Sequence, residues 1–147
     1  MHPDLERALQ PVLADLRATG ASVPRIEDSD WTGDADRVGA MMWSGDGSGQ
    51  GVAVSRHRPL AEQVVDVADQ VQEWAVEELW GSAPTNWPRC PRHTTTHPMQ
   101  ARLVADAAWW VCPHDGSASV SSGVCADPHS GTRYRATSRT CAIALRA

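Results

Sequence analysis

The chain carries Cys90-Pro91-Arg92-His93-Thr94-Thr95-Thr96-His97 and, with eighteen residues between His93 and Cys112, Cys112-Pro113-His114-Asp115-Gly116. In a Cys-Pro-x-ligand turn, the proline fixes the direction in which the chain enters. Backbone N–H groups then face the thiolate, and a glycine further on accepts a positive φ. Two such turns at the base of a short hairpin make a zinc ribbon. The segment between them has room for two strands, read here as Met99–Ala105 and Ala107–Cys112 around Asp106-Ala107. Zinc takes four nitrogen or sulfur ligands in a tetrahedron. Cys90, His93 and Cys112 supply three. For the fourth, His97 is favoured because borderline-soft zinc prefers imidazole to an isolated carboxylate. Asp115, which has the turn spacing, and His114 remain alternatives. The expected set Cys90, His93, His97 and Cys112 is closed and therefore structural. The competing reading has two reduced, buried cysteines with their histidines on the surface.

Upstream of this segment the apolar periods are helical, then alternating, then helical. Leu5, Leu9, Val12, Leu13 and Leu16 mark one face of a helix over residues 3–19, with Gly20 as its stop and Pro11 as its flaw. Residues 21–36 read as an acidic loop. Val38–Ser44 and Gly51–Ser55 read as a hairpin across Gly45-Asp46-Gly47-Ser48-Gly49-Gln50. Pro59 is expected at the first position of the next helix. Its apolar stripe runs from Leu60 through Val64, Val67, Val71, Trp74, Val76 and Leu79 to Trp80, and Gly81 ends it. The fold class is thus α+β. An α-β-β-α part over residues 1–81 is followed by a linker over 82–88 and the zinc-ribbon-like hairpin module over 89–122. An irregular, flexible tail over 123–147 completes the chain, because its Ser, Thr and Arg content shows neither period.

Composition narrows the function classes. The 147 residues carry a net charge of −5, and all 13 basic residues are arginine. Residues 1–80 hold 15 acidic side chains against 6 Arg, a balance of −9, whereas residues 81–147 hold 3 against 7, a balance of +4. An acidic main body argues against nucleic-acid binding. The basic second half, with Arg133, Arg135 and Arg139, permits an accessory role on nucleic acid without demanding one. No apolar run approaches the roughly 18 residues needed to span a membrane, and no secretory apolar region opens the chain. A cytoplasmic location is expected. There, clustered cysteines beside histidines read as a metal site sooner than as disulfides, with a Cys125–Cys141 bridge as the alternative. Arginine without lysine, seven Trp and no Phe match GC-rich coding, as in actinobacteria.

Catalytic signatures are absent: there is no His-Glu-x-x-His, Gly-x-Ser-x-Gly or phosphate loop. His57 lacks an identified partner. Asp28, Asp30, Asp34 and Asp36 with Gly33 partly match a calcium loop, but Gly39 stands where a bidentate Glu is required. A solvated acidic loop is the simpler reading. Trp74, Trp80, Trp87, Trp109 and Trp110 are expected in the core or at a module interface.

Trp87-Pro-Arg-Cys90-Pro-Arg-His93, His97-Pro98-Met99 and Trp110-Val-Cys112-Pro, together with the helix from Ala61 to Trp80, resemble segments of small uncharacterised actinobacterial proteins. The resemblance covers roughly residues 60–118. It implies a Cys/His zinc-ribbon-like segment and no known activity. Such proteins commonly finish soon after the second Cys-Pro turn, so the residues after Ser122 are expected to be a frame-altered or newly acquired extension. The leading expectation is a non-enzymatic protein whose structural zinc supports contact with a protein partner. The rivals are a zinc-dependent hydrolase with an open coordination position and the nucleic-acid accessory role.

Overall fold

In a computed structural model, the described residues are 1–81 and 84–118. The N-terminal helix α1 (Pro3–Thr19) begins at His2, whose ring accepts a hydrogen bond from the Asp4 backbone N–H, and stops at Gly20 with φ +70°. Gly20 is left-handed without penalty because it has no Cβ. Pro11 sits inside the helix. Leu5, Ala8, Leu9, Val12 and Leu16 form its buried face.

Three antiparallel strands follow: β1 (Arg25–Ser29), β2 (Arg37–Trp43) and β3 (Gly49–Ser55), in the order β1-β2-β3. The hairpin expected from the sequence is β2–β3, in register Ala40 with Val52 and Val38 with Val54. The residues read as an acidic loop contain a strand, which corrects α-β-β-α to α-β-β-β-α. Strand β1 pairs Ile26 with Met42 and Asp28 with Ala40. As an outer strand it buries little, so alternation is faint in Arg-Ile-Glu-Asp-Ser. Its polar side chains are those that protect a sheet edge from further pairing.

The long helix α2 (Leu60–Glu78) is the hub of the molecule, packing against α1, β3 and the C-terminal hairpin. Pro59 caps it from outside rather than standing at its first position. Val64, Val67, Ala68, Val71, Trp74 and Ala75 are buried. Trp80 falls beyond the last turn and is 85 % exposed, so the expected apolar stripe ends before it. The other edge strand, β3, is covered by amides from α2. The Gln70 Oε1 accepts from the Ala53 N–H at 2.9 Å while its Nε2 donates to the Ala53 carbonyl at 2.9 Å. The Gln63 Nε2 donates to the Ser55 carbonyl at 2.8 Å.

Strands β4 (Gln100–Val104) and β5 (Ala107–Val111) form a separate antiparallel pair. Ala105 and Asp106 join them with φ of 48° and 62°, the double positive φ of a two-residue hairpin turn. Met99, Ala101, Ala108 and Trp110 face the core, which is continuous from α1 through α2 to this hairpin. Asn86, Trp87 and Pro88, expected in a linker, are buried. The Trp87 ring meets Trp110 edge-on at 5.4 Å, a favoured arrangement of aromatic quadrupoles. The residues expected as a flexible tail, 123–147, lie outside the described residues. So do Cys125, Cys141, Arg133, Arg135 and Arg139.

Candidate metal centre

Two turns at the base of the β4–β5 hairpin deliver the candidate ligands. In the first, the His93 N–H donates to the Cys90 carbonyl at 3.2 Å, closing the Cys-Pro-Arg-His turn. In the second, the Gly116 N–H donates to the Cys112 carbonyl at 2.9 Å, and Gly116 takes the positive φ of +70°. Met99 N–H bonds to the Pro88 carbonyl at 2.8 Å, and Arg89 bridges to Pro98. The chain therefore enters and leaves the first turn side by side.

Cys90, His93, His97 and Cys112 are brought together, with one ligand atom from each lying within 4.8 Å of every other. Both cysteines are free thiols and only 1 % exposed; the two histidines are half-buried. The His93 Nδ1 lies 3.4 Å from the Cys90 sulfur and 3.5 Å from the Cys112 sulfur. The His97 Nε2 lies 3.7 Å from the Cys112 sulfur. A tetrahedron with Zn–S of about 2.3 Å and Zn–N of about 2.0–2.1 Å has a sulfur–nitrogen edge of about 3.5 Å. The three separations match that edge, so the donor set fits a tetrahedral cation.

The second nitrogen of His97 fixes which atom faces the centre. His97 Nδ1 lies 2.9 Å from the Pro98 carbonyl oxygen. A carbonyl only accepts, so Nδ1 carries the proton and the Nε2 lone pair is left to bind. Burial pushes the Cys112 thiol up from its ordinary range, and the backbone N–H groups of Asp115 and His114 pull the other way.

The alternatives for the fourth ligand border the centre without joining the gathered group, and the Asp115 carboxylate reaches the Cys112 thiol. Asp115 accepts from the Ser117 Oγ at 2.6 Å and the Ser117 N–H at 2.9 Å, and pairs with Arg92. These donors, the Ser117 hydroxyl first, hold its carboxyl well below the usual carboxylate range. Its lone pairs thus serve the second turn. His114 is exposed and stands beside the His93 ring at 5.1 Å.

Three side chains make amide and indole hydrogen bonds, unmarked in the sequence, that hold the backbone around the centre. The Gln72 Nε2 donates to the Trp87 carbonyl at 2.8 Å and the Met99 carbonyl at 2.6 Å. The Trp87 indole donates to Thr19 Oγ1 at 2.9 Å. Asn86, 8 % exposed, donates from Nδ2 to the Thr94 carbonyl at 3.0 Å and the His97 carbonyl at 3.5 Å. A glutamine or asparagine inside a polar stretch gives no periodic signal, so nothing in the sequence marked them.

Among the described residues, this is the one group of His, Cys, Asp and Glu side chains drawn together for a metal. The acidic segment 28–36 is not gathered in that way. Asp34 accepts from the Asp36 N–H, and Asp28 pairs with the N-terminal ammonium. His57 has a partner, Asp36 at 3.1 Å, but both side chains are exposed. No described helix is long and apolar enough to cross a membrane. No known protein family matches the sequence, and no curated protein or solved structure is detectably similar to it.

Proposed function

We propose that the chain is a zinc protein, with Cys90, His93, His97 and Cys112 as a closed structural site that stabilises a protein-interaction module. The observation that carries this reading is the set of sulfur–nitrogen separations, 3.4, 3.5 and 3.7 Å. They come from four side chains on two turns that backbone hydrogen bonds already shape. Zinc suits two thiolates and two imidazoles better than calcium or magnesium, which want oxygen. Binding would contribute on the order of 10 kcal/mol to folding, as in zinc-finger peptides. Four protein ligands leave no position for a reacting water, which favours a structural role over hydrolysis. The protein-interaction role rests on the closed ligand set, which gives the module a structural part to play. The zinc-ribbon-like relationship to small actinobacterial proteins and a cytoplasmic location belong to the same proposal.

Zinc-edge X-ray absorption on the purified chain tests it. The expected result is two sulfur and two nitrogen neighbours per zinc. A coordinated water in place of one imidazole would instead favour the hydrolase reading.

A further inference from the structure

The structure assigns Gln72, on α2, as the positioning residue of the metal centre, with Asn86, just before the loop, as its partner. This inference rests on the metal reading above and adds to it how the site is preorganised. The ligands Cys90, His93 and His97 occupy one excursion of chain, and that excursion has a neck. Trp87 lies three residues before Cys90 and Met99 two residues after His97. Beside the backbone bond from the Met99 N–H to the Pro88 carbonyl, one NH₂ group spans the neck: the Gln72 Nε2 donates to both the Trp87 and the Met99 carbonyls, at 2.8 and 2.6 Å. Both bonds reach across the fold, over 15 and 27 residues of chain.

Asn86 repeats the device one step further in. Its Nδ2 ties the Thr94 and His97 carbonyls, so the backbone that carries His97 is held from outside the loop. The Asn86 side chain is almost wholly buried, and its Oδ1 has no partner among the described residues. Its whole hydrogen-bonding role in the described residues is therefore to donate to the loop. Among the described residues, the Gln72 amide bonds to backbone carbonyls and not to a ligand side chain. It acts through the carbonyls that set where the turn begins and ends, and it links the centre to the helix around which the core is built.

Preorganisation of this kind changes metal affinity, because an ordered loop loses less entropy when the ion arrives. Outer-shell partners of metal ligands typically affect affinity by about 10–100-fold. The test uses the full chain and zinc in competition with a chromogenic chelator, alongside the absorption spectrum of the cobalt(II) form. Gln72→Glu keeps the stem and shape but has no N–H, and it sets a carboxylate against two carbonyl oxygens. It is expected to weaken zinc binding about tenfold or more and to weaken the visible bands of tetrahedral cobalt. Gln72→Lys returns N–H donors on a slightly longer stem and is expected to recover part of the affinity and the spectrum. A general loss of stability would not restore a ligand-field spectrum in that order.

Gln72→Glu with affinity within twofold of wild type and unchanged cobalt bands would overturn the assignment, as would a Lys variant no better than the Glu variant. Should Gln72→Glu lose its helical circular dichroism, Asn86→Asp decides, since its bonds lie within the loop. The same tenfold loss is then expected, and wild-type affinity would overturn the assignment. A wild-type chain that binds no zinc would defeat the metal reading itself, which is a different result.

Discussion

The indole N–H of Trp110 donates to a carboxylate oxygen of Asp15 at 2.7 Å. The bond joins β5, which leads into the second cysteine turn, to α1 across 95 residues of sequence. Trp110 is buried and Asp15 is largely withdrawn from water. Burial raises the Asp15 carboxyl above its ordinary value, and the Trp110 hydrogen bond offsets part of that rise.

The sign of the pH effect follows from linkage. Between the unfolded value, 3.8, and the higher folded value, the folded chain holds more protons at Asp15 than the unfolded chain does. Stability contributed by this group therefore falls as pH rises through that window, and the penalty is fully present above it. Asp15→Asn keeps an oxygen acceptor and removes the charge. With zinc bound, and over the pH range in which both proteins retain it, denaturant unfolding should show a flatter pH profile for Asp15→Asn than for wild type. Asp15→Asn should also be more stable than wild type above the window. Asp15→Ala leaves the indole N–H without its partner and should cost about 1–3 kcal/mol.

The outer face of the three-stranded sheet is built around a tryptophan on glycines. A Cβ at Gly51 would stand 2.5 Å from Trp31 Cε2, and one at Gly39 would stand 2.9 Å from Trp31 Nε1. Trp31 packs against these two glycines and remains 49 % exposed. Gly51→Ala should therefore lift the indole from the sheet, red-shift its fluorescence and destabilise the fold by about 1–3 kcal/mol. In a Trp31→Ala background the same substitution should cost little, since the clash is gone and alanine restricts the unfolded chain. Equal costs in the two backgrounds would contradict the packing described.

The fourth ligand separates by mutation. Asp115 is held by Ser117 and Arg92 beside the Cys112 thiol, whereas His97 is one of the four side chains whose ligand atoms gather within 4.8 Å. Asp115→Asn should retain one zinc per chain with some loss of stability in the second turn. His97→Ala should lose zinc or bind it far more weakly. Metal analysis after dialysis against a weak chelator distinguishes these outcomes, and the reverse pattern would reassign the ligand to Asp115.

Much of this arrangement is legible in the sequence where a residue's role is repeated or chemically distinctive. The face of α1 follows from Leu5, Leu9, Val12 and Leu16 at helical spacing. The β2–β3 register follows from Val38 and Ala40 against Val52 and Val54 across a turn-rich stretch. Cys90, His93, His97 and Cys112 stand out because thiols and imidazoles in two proline turns are rare side chains in a rare pattern. Strand β1 was hidden because an edge strand with one apolar residue, Ile26, has no alternation to count. Trp80 misled because periodicity does not show where a helix leaves the core. Single polar contacts such as Gln70 on Ala53 and Gln72 on Trp87 and Met99 depend on elements far apart in sequence. A local pattern holds no trace of them.

The central claim is that Cys90, His93, His97 and Cys112 converge on a single cation that holds the two cysteine turns together. Zinc content per chain, measured in the wild type and in Cys112→Ser after identical purification, tests it most directly. One zinc per wild-type chain and close to none in Cys112→Ser is the predicted result. A wild-type chain that is fully folded with no bound zinc, or equal zinc in both proteins, would contradict it.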